Sequence, residues 1–261
     1  MIQAADIKPI YEEHKSRLTS FIYRLTTNKE EAEDLVHDTF EAALNSLEKF
    51  KGDSSVKTWL FSIAAHKAID HIRKRKRWPA SILEQSRQTA FNDHGFLNNM
   101  KHISEEPNGK FEIREHIDFC FTCISKTLPI EQQVCTLLKE IYGFTVKEIA
   151  CIISRTESVV KHALEDGRAK LIDVYEKKCA LINKNGTCHQ CSEMSGFYNP
   201  KSNTQAELMR IKFARESASL DKQKLFELRT ELISSVDQFE GVGAKFQLTH
   251  MKHAASVAES S

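Results

Sequence analysis

The chain has 261 residues, and its 37 basic side chains nearly balance its 36 acidic ones. Taken as a whole, this balance excludes a uniformly basic nucleic-acid coat protein and a polyacidic tail protein. Nine glycines and five prolines are too few for glycine-rich nucleotide loops or an all-β sandwich. Hydrophobic residues make up 41% of the chain, which is enough to fill a core.

Secretion and membrane insertion find no support in the sequence. Residues 1–17 are polar and mixed in charge, and no apolar run approaches the ~20 residues of a membrane span. The seven cysteines are odd in number and thinly spread, unlike a secreted disulfide framework. We therefore expect a soluble cytoplasmic protein.

The charges are segregated along the chain. Residues 1–50 carry six basic and ten acidic side chains, residues 51–78 carry eight and two, and residues 79–125 carry four and seven. The balanced total therefore conceals one short basic block between two acidic segments.

Helical periodicity dominates the first part of the chain, and no segment predicts a strand. Two amphipathic helices are expected before Phe50, the second opened by a capping box of Asn28 and Glu31. After a turn, Ser54 or Ser55 is expected to cap a third helix over residues 56–77. The predicted fold class is all-α.

The third predicted helix ends in the run Arg73-Lys74-Arg75-Lys76-Arg77. Cations near a helix C-terminus interact favourably with the helix dipole, but five adjacent charges repel each other. A phosphate backbone is the usual reason to keep such a run, so we predict a nucleic-acid contact.

Aromatic residues lie near the start of this helix, where Trp59 and Phe61 stand beside Lys57. Rings among cations are typical of single-strand binding, in which bases stack on the rings. Core packing is the alternative, and we favour it for Trp59. Further along, Asp70 either serves a site or pairs with Arg73 or Lys74 at helical spacing.

Residues 79–110 have weak periodicity and predict a linker with at most short helices. Helical pattern resumes near Phe111, breaks at Leu128-Pro129, and continues in two short helices and a longer one to about Lys178.

The last two of these helices have the spacing of a helix-turn-helix, whose second helix enters the major groove. The first begins after Thr145, and Thr156 is a suitable N-cap for the second, with Val159, Val160 and Leu164 expected to face inward. The expected exposed positions are Glu157, Ser158, Lys161, His162, Glu165 and Arg168.

Five of the seven cysteines fall into two groups. Cys179, Cys188, His189 and Cys191 surround a predicted turn and could complete a tetrahedral zinc site, although reduced, unliganded thiols are the simpler alternative. Cys120 and Cys123 lie on a predicted helix, where buried thiols are expected.

The remaining tail predicts amphipathic helices over Ala206–Ser217 and Leu220–Val236. The last 25 residues carry weak signals and are expected to be partly disordered.

Two separate stretches resemble bacterial extracytoplasmic-function (ECF) sigma factors. The run Ala-Glu-Asp-Leu-Val-His-Asp-Thr-Phe at 32–40, together with residues 50–55 and 58–73, resembles region two. Leu128-Pro129, Glu148-Ile149-Ala150 and residues 160–171 resemble region four. The resemblance covers about residues 5–178. It implies region two at 5–78, a linker at 79–110, region four at 111–178 and a C-terminal extension at 179–261.

The resemblance implies a transcription initiation factor with no catalytic residues. Its partners would be core RNA polymerase, through the clamp helices of the largest subunit, and promoter DNA, with an anti-sigma factor as a further candidate. The matching core-binding positions are Asp34, Leu35, His37, Asp38, Glu41 and Leu44. The minus-ten element would meet Lys57, His66, Asp70, Arg73, Lys74, Arg75 and Arg77. The minus-thirty-five element would meet Thr156, Glu157, Ser158, Lys161, His162 and Arg168.

The chain departs from the family pattern in several places. His66 stands at a usual Asn, Ser154 at a usual Gly, and Ala163 at a common Arg. Because Ser154 stands at that Gly and Arg155 at a usual apolar residue, we expect a distorted turn. Glu165 and Asp166 occupy positions where cations are frequent, so we expect a shallow salt dependence of DNA binding.

Two other functions compete with this interpretation. One is a stand-alone helix-turn-helix regulator of duplex DNA, and the other is a sensor whose main event is metal or thiol chemistry in the tail. An enzyme is not indicated, because the sequence has no phosphate-binding glycine loop, HExxH motif or nucleophile elbow. The tail is expected to pack on region two or four and to regulate DNA or core binding.

Overall fold

The computed structural model describes residues 7–106, 113–178, 222–241 and 243–260. Within these ranges it has 11 α-helices and no strand, which confirms the all-α prediction. The helices are α1 (Ile7–Thr26), α2 (Lys29–Asn45), α3 (Val56–Ile72), α4 (Ile82–Asn92), α5 (His94–Glu105), α6 (Ile113–Ser125), α7 (Ile130–Glu140), α8 (Val146–Ile152), α9 (Glu157–Lys178), α10 (Lys222–Ser234) and α11 (Ala244–Ser260).

The chain forms two compact units, which are described separately. The first unit consists of Met1–Lys76 with Pro129–Asp166, and the second of Arg77–Leu128 with Gly167–Ser261. Each unit therefore combines segments that are far apart in sequence.

In the first unit, α1, α2 and α3 pack against one another. Two side chains cap the N-termini of α2 and α3, as the sequence predicts. The Asn28 side chain accepts a hydrogen bond from the Glu31 amide at 3.1 Å, and the Ser55 hydroxyl accepts one from the Thr58 amide at 3.1 Å. These caps satisfy backbone donors that have no partner within the helix.

Helix α3 is shorter than predicted, since it ends at Ile72 rather than at residue 77. The five adjacent cations at residues 73–77 repel each other, and a continued helix would hold their charges close together. Instead the chain turns after Ile72, where the Arg75 amide donates to the Ile72 carbonyl at 3.0 Å.

In the second unit, the predicted linker contains two full helices, α4 and α5. Asp93 caps α5 by accepting from the Phe96 amide at 2.9 Å. Met100 and Ile103 of α5 are buried, as are Leu83 and Ala90 of α4. The linker is thus part of a packed core rather than a loose connection.

The tail supplies the other side of that core. The predicted helix over Leu220–Val236 is confirmed as α10, whereas Ala206–Ser217 lies outside the described residues. The expectation of disorder in the last 25 residues is wrong, because residues 244–260 form α11. Helix α11 packs against α4, α5 and α6 and buries Phe246 and Met251, and this burial stabilises a segment whose local signals are weak.

Candidate nucleic-acid and polymerase interfaces

The helix-turn-helix consists of α8, a four-residue turn and the start of α9. Thr145 and Glu148 form a reciprocal capping box at the start of α8, with the Thr145 amide 2.8 Å from Glu148 Oε2. Hydrogen bonds from the backbone and side chain of Thr145 lower the pKa of the Glu148 carboxyl. Thr156 begins α9 as predicted, since its hydroxyl accepts from the Val159 amide at 3.4 Å.

The turn between these helices places Ser154 in the left-handed region, with a φ of 53°. Glycine adopts this conformation without penalty, whereas a side chain at Cβ makes it unfavourable. The turn nevertheless closes, because the Arg155 amide donates to the Ala150 carbonyl at 3.0 Å. The helix-turn-helix is therefore formed at some loss of conformational stability at Ser154.

One face of α9 is buried and the other is open to solvent. Val160 and Leu164 are buried as predicted, but the inward orientation predicted for Val159 is wrong, since its side chain is 40% exposed. Successive helical residues are rotated by about 100°, which moves Val159 off the buried stripe. The exposed candidates are Thr156, Glu157, Ser158, Lys161, His162 and Glu165, while Arg168 is half-buried.

The exposed face of α9 is short of cations. Residues 157–166 carry three acidic side chains and one lysine. Arg155, just before the helix, pairs with Glu131 of α7 at 2.7 Å. The positive charge available to phosphates at this face is therefore small.

The basic face of the first unit lies at the end of α3. His66, Asp70, Arg73 and Lys74 are all exposed there. Asp70 pairs with Arg73 at 2.9 Å, which was the alternative to a direct role in a site. Because both partners are exposed, this pair contributes little to stability and can yield to a phosphate.

Arg75 lies beside this face but is engaged with α2. Its terminal nitrogen donates to Glu31 Oε1 at 2.7 Å, and His71 Nε2 lies 3.1 Å from Glu31 Oε2. Partial burial alone would raise the pKa of the Glu31 carboxyl, but the hydrogen bonds from Arg75 and His71 outweigh it and lower that pKa.

Arg77 requires a correction, because the second unit holds its guanidinium within the fold. Arg77 Nε donates to the Leu128 carbonyl at 2.7 Å, and a terminal nitrogen lies 3.4 Å from the Ser125 carbonyl. Burial lowers the pKa of Arg77 to about 10. The side chain thus satisfies carbonyls at the end of α6 instead of extending the exposed basic face.

Lys57 also differs from the other predicted DNA contacts, since it is half-buried within the first unit. Its Nζ lies 4.2 Å from the Phe144 ring centroid and 3.5 Å from the Tyr142 carbonyl oxygen. Burial is the main cause that lowers the pKa of Lys57, with the charge of Arg17 acting in the same direction. Nearby, Trp59 packs against Phe50 with ring centroids 4.8 Å apart, in agreement with the packing role that we favoured.

Five of the six predicted polymerase-binding residues share one face of α2. Asp34, His37, Asp38 and Glu41 are exposed there, next to Leu44, which is 46% exposed. Leu35 is buried and belongs to the core, so the structure separates it from this face. The result is an acidic surface with one large apolar side chain at its end.

Of the two cysteine groups that the sequence predicts, the structure describes the one on α6. Cys120 and Cys123 are buried free thiols on α6, which confirms that prediction. The proposed zinc ligands Cys179, Cys188, His189 and Cys191 lie outside the described residues. Among the residues that are described, no group of three or more His, Cys, Asp or Glu side chains could hold a metal ion.

Sequence reasoning missed four residues that organise these surfaces. Glu31 engages Arg75, Glu131 engages Arg155, and Tyr142 and Phe144 cover Lys57. The only available signal was the aromatic pair around Gly143, close to the helix-turn-helix. The partners are 44 residues apart in the Glu31–Arg75 pair and 24 residues apart in the Glu131–Arg155 pair. A local sequence pattern therefore cannot predict either pair.

Comparison with known proteins agrees with this architecture. The model of sigma-70 region 2 matches residues 10–77, and that of sigma-70 region 4 matches residues 119–171. The chain is therefore of the sigma-70 class, with the basic end of α3 in the first match and the helix-turn-helix in the second.

Two similar proteins indicate the family within the sigma-70 class. The ECF RNA polymerase sigma factor SigX of Bacillus subtilis is 31% identical over 155 residues, covering 58% of this chain and 74% of SigX. The RNA polymerase sigma factor YlaC of the same organism is 27% identical over 165 residues, covering 63% and 89%. The chain belongs to the ECF RNA polymerase sigma factors.

A solved structure has a partial likeness to the chain. It is the sigma factor RpoE in complex with the anti-sigma factor NepR from Bartonella quintana, with a TM-score of 0.45 and 22% identity. The likeness covers 64% of this chain and 95% of that one. In the described part of the chain, no helix has the length and hydrophobicity needed to cross a membrane.

Proposed function

We propose that this chain is the promoter-recognition subunit of an RNA polymerase. It binds the core enzyme, directs it to specific promoters and opens the DNA for initiation. The observation that carries the proposal is the combination, in one compact unit, of an acidic face on α2, a basic face at the end of α3 and a helix-turn-helix. A stand-alone duplex-binding repressor needs only the last of these.

The acidic face of α2 is the proposed contact with core polymerase. Asp34, Asp38 and Glu41 present carboxylates on the same side of the helix, and Leu44 adds an exposed apolar side chain. A basic, partly apolar partner helix complements this surface. The clamp helices of the largest polymerase subunit are the proposed partner.

The end of α3 is the proposed minus-ten reader. Arg73 and Lys74 supply exposed cations for the phosphates, while His66 offers a ring edge about two turns earlier along the chain. His66 Nδ1 lies 2.7 Å from the Ser62 carbonyl, which can only accept, so this nitrogen donates the hydrogen bond and fixes the orientation of the ring. Capturing an unstacked base requires such contacts to offset a few kcal/mol of unstacking.

The exposed face of α9 is the proposed minus-thirty-five reader, and its chemistry suits base edges better than phosphates. Lys161 can donate to guanine O6 and N7, whereas Glu157 and Glu165 can accept from the cytosine amino group. With Arg155 engaged by Glu131, few cations remain for the backbone. Recognition of this element therefore depends on the polymerase holding the DNA in place.

We further propose that the chain contributes no catalytic group of its own and acts in the cytoplasm, where its polymerase works. The active site of RNA synthesis belongs to the core enzyme in this proposal. The sigma subunit acts through binding interactions alone. These interactions position the promoter and separate its strands.

The test is transcription in vitro with core polymerase on a promoter library. The wild-type chain should produce specific starts that core alone does not. The double variant Asp34→Lys with Asp38→Lys should lose these starts, whereas Glu12→Lys with Glu13→Lys, which makes the same charge change at exposed positions of α1, should keep them. Tight duplex binding without any core-dependent start would overturn the proposal in favour of a stand-alone regulator.

A further inference from the structure

A large apolar side chain is exposed on the helix that is proposed to read duplex DNA. Val159 is the third residue of α9, and its side chain is 40% exposed. In the described part of the chain, the other exposed large hydrophobic residues are Leu44 of α2 and Phe91 of α4. Both lie outside the helix-turn-helix, so Val159 is the exposed large apolar side chain of this motif.

The local structure of α9 fixes the position of Val159. The Thr156 hydroxyl, which caps the helix, accepts a hydrogen bond from the Val159 amide at 3.4 Å. The next residue, Val160, is fully buried, and this burial sets the rotation of the helix about its axis. His162 and Ala163 are the neighbours of Val159 one turn later. Because Ala163 ends at its Cβ, it leaves the methyl groups of Val159 open to a partner.

Valine is an unfavourable residue at an exposed helical position unless its methyl groups gain a contact. Its branched Cβ lowers helix propensity, and exposed methyl groups stay in contact with water. The same branching holds the side chain in one main rotamer within a helix, so little freedom is lost when the methyl groups meet a partner. The start of α9 therefore offers a rigid apolar contact.

The major groove of DNA carries one apolar group that identifies a base. This group is the C5 methyl of thymine, whereas the bases otherwise present hydrogen-bond donors and acceptors at this edge. The first residues of the second helix in a helix-turn-helix contact base edges. The exposed carboxylates of Glu157, Glu165 and Asp166 repel phosphates, and this repulsion favours contacts with base edges over contacts with the backbone.

We propose that Val159 reads a thymine of the minus-thirty-five element by packing its methyl groups against the C5 methyl of that base. Val159 is thereby a specificity-determining residue that selects thymine at one position. The inference rests on the proposed function for the identity of the DNA element. The contact itself requires only a duplex whose major groove holds the start of α9.

Deoxyuridine substitution tests the contact one methyl group at a time. In a promoter that the chain selects from the library, each thymine of the minus-thirty-five element is replaced in turn by deoxyuridine, which lacks the methyl group but keeps the base-pair hydrogen bonds. At one position this change should weaken binding of the wild-type holoenzyme about fourfold, as expected for one buried methyl group. Fluorescence anisotropy measures the affinity, and equal affinity for all the fragments would overturn the proposal.

A double-mutant cycle assigns the methyl effect to Val159. Val159→Ala should bind the thymine fragment about fourfold more weakly than the wild type and should not distinguish it from the deoxyuridine fragment. Alanine is the better helix former and the position is exposed, so this variant should fold normally, which circular dichroism verifies. A methyl effect that persists in folded Val159→Ala would show that another residue reads the thymine, and the proposal would fail.

Phe91→Ala is the matched control, because it removes another exposed apolar side chain, in the second unit. This variant should keep the wild-type affinity and the full fourfold methyl effect. A loss of the methyl effect in Phe91→Ala as well would show that the effect does not depend on a contact at α9, and it would count against the proposal.

The experiment separates the role of Val159 from the proposed function. Core-dependent starts without a methyl effect that depends on Val159 would leave the proposed function standing and reject this inference. If the chain gives no core-dependent start but binds a duplex by itself, the same substitutions are made in that duplex. A methyl effect that disappears in Val159→Ala would then support the contact and reject the proposed function, and a chain that binds no duplex in either assay would reject both.

Discussion

The Arg155 guanidinium donates two hydrogen bonds to the Glu131 carboxylate, beside the turn of the helix-turn-helix. Arg155 Nε and a terminal nitrogen both donate to Glu131 Oε1, at 3.1 Å and 2.7 Å. The cation nearest the start of α9 is thereby committed to α7, and the carboxylate beside it adds negative charge where DNA would approach.

Releasing Arg155 should strengthen DNA binding. Glu131→Gln removes one negative charge and frees the guanidinium for a phosphate, so the affinity of the holoenzyme for its promoter should rise several-fold at low salt. The slope of log affinity against log salt should become steeper by about 1, as expected for one additional phosphate contact. Fluorescence anisotropy over a salt series measures both quantities. An equal gain in an Arg155→Ala background would contradict this explanation.

Replacing Ser154 with glycine should stabilise the chain. Its φ of 53° is unfavourable for a side chain, and the position is exposed, so Ser154→Gly should add roughly 0.5–1 kcal/mol to the free energy of unfolding. Ser158→Gly, at an exposed helical position, is the control and should destabilise by a similar amount. Urea denaturation followed by circular dichroism checks both, and a destabilised Ser154→Gly chain would contradict the prediction.

We expect the second unit to lose stability at acidic pH. Burial lowers the pKa of His116 to about 4, and burial with the charges of His116 and His253 lowers that of His250 to about 3. The folded state thus binds protons less readily than the unfolded state, whose histidines titrate near 6.5. Stability is therefore fully present above pH 6.5 and falls as the pH drops towards 4, by about 1.4 kcal/mol per pH unit for each histidine.

Hydrogen exchange of the α11 amides at pH 7.5 and pH 5 measures this local stability. The groups near the two rings include Cys120, whose Sγ lies 4.0 Å from His116 Nε2, and His253, which stacks on Phe96. His116→Gln with His250→Gln should reduce the difference between the two pH values, although it lowers stability at both. An unchanged difference would show that other groups carry the pH dependence.

The tail should prove structural as well as regulatory. Phe246 is 3% exposed in α11, and Phe246→Ala should destabilise the second unit by about 3–5 kcal/mol. Limited proteolysis should then cut α4 and α5 faster than in the wild type. Lys252→Ala, at an exposed position of the same helix, should have little effect. Deleting residues 179–261 should change promoter activity, and unchanged activity with unchanged DNA affinity would reject a regulatory tail.

The zinc hypothesis concerns residues outside the described structure. Cys179, Cys188, His189 and Cys191 could supply four ligands, so the purified chain should contain one zinc ion. Cys188→Ser with Cys191→Ser should abolish it, while Cys120→Ser, at a buried thiol, should not. Metal analysis by mass spectrometry decides the question, and a metal-free wild-type chain would leave reduced thiols as the explanation.

The sequence by itself determined where α2 and α3 begin and where the helix-turn-helix lies. The caps Asn28, Ser55 and Thr145 each accept from an amide three residues away, and periodicity indicates the face that each helix buries. The chain's segregated charge also located the basic end of α3. These features are local, so a single sequence is enough to predict them.

Tertiary structure decided which of the predicted site residues are available. Arg75 pairs with Glu31, Arg77 donates to carbonyls at the end of α6, and Lys57 lies over the Phe144 ring, although in the sequence all three are cations like exposed Lys74. Likewise, α11 is a helix because α4, α5 and α6 bury its apolar face, not because its own signals are strong. Partners far apart in sequence meet only when the chain packs, so burial and charge pairing at these sites are properties of the folded chain.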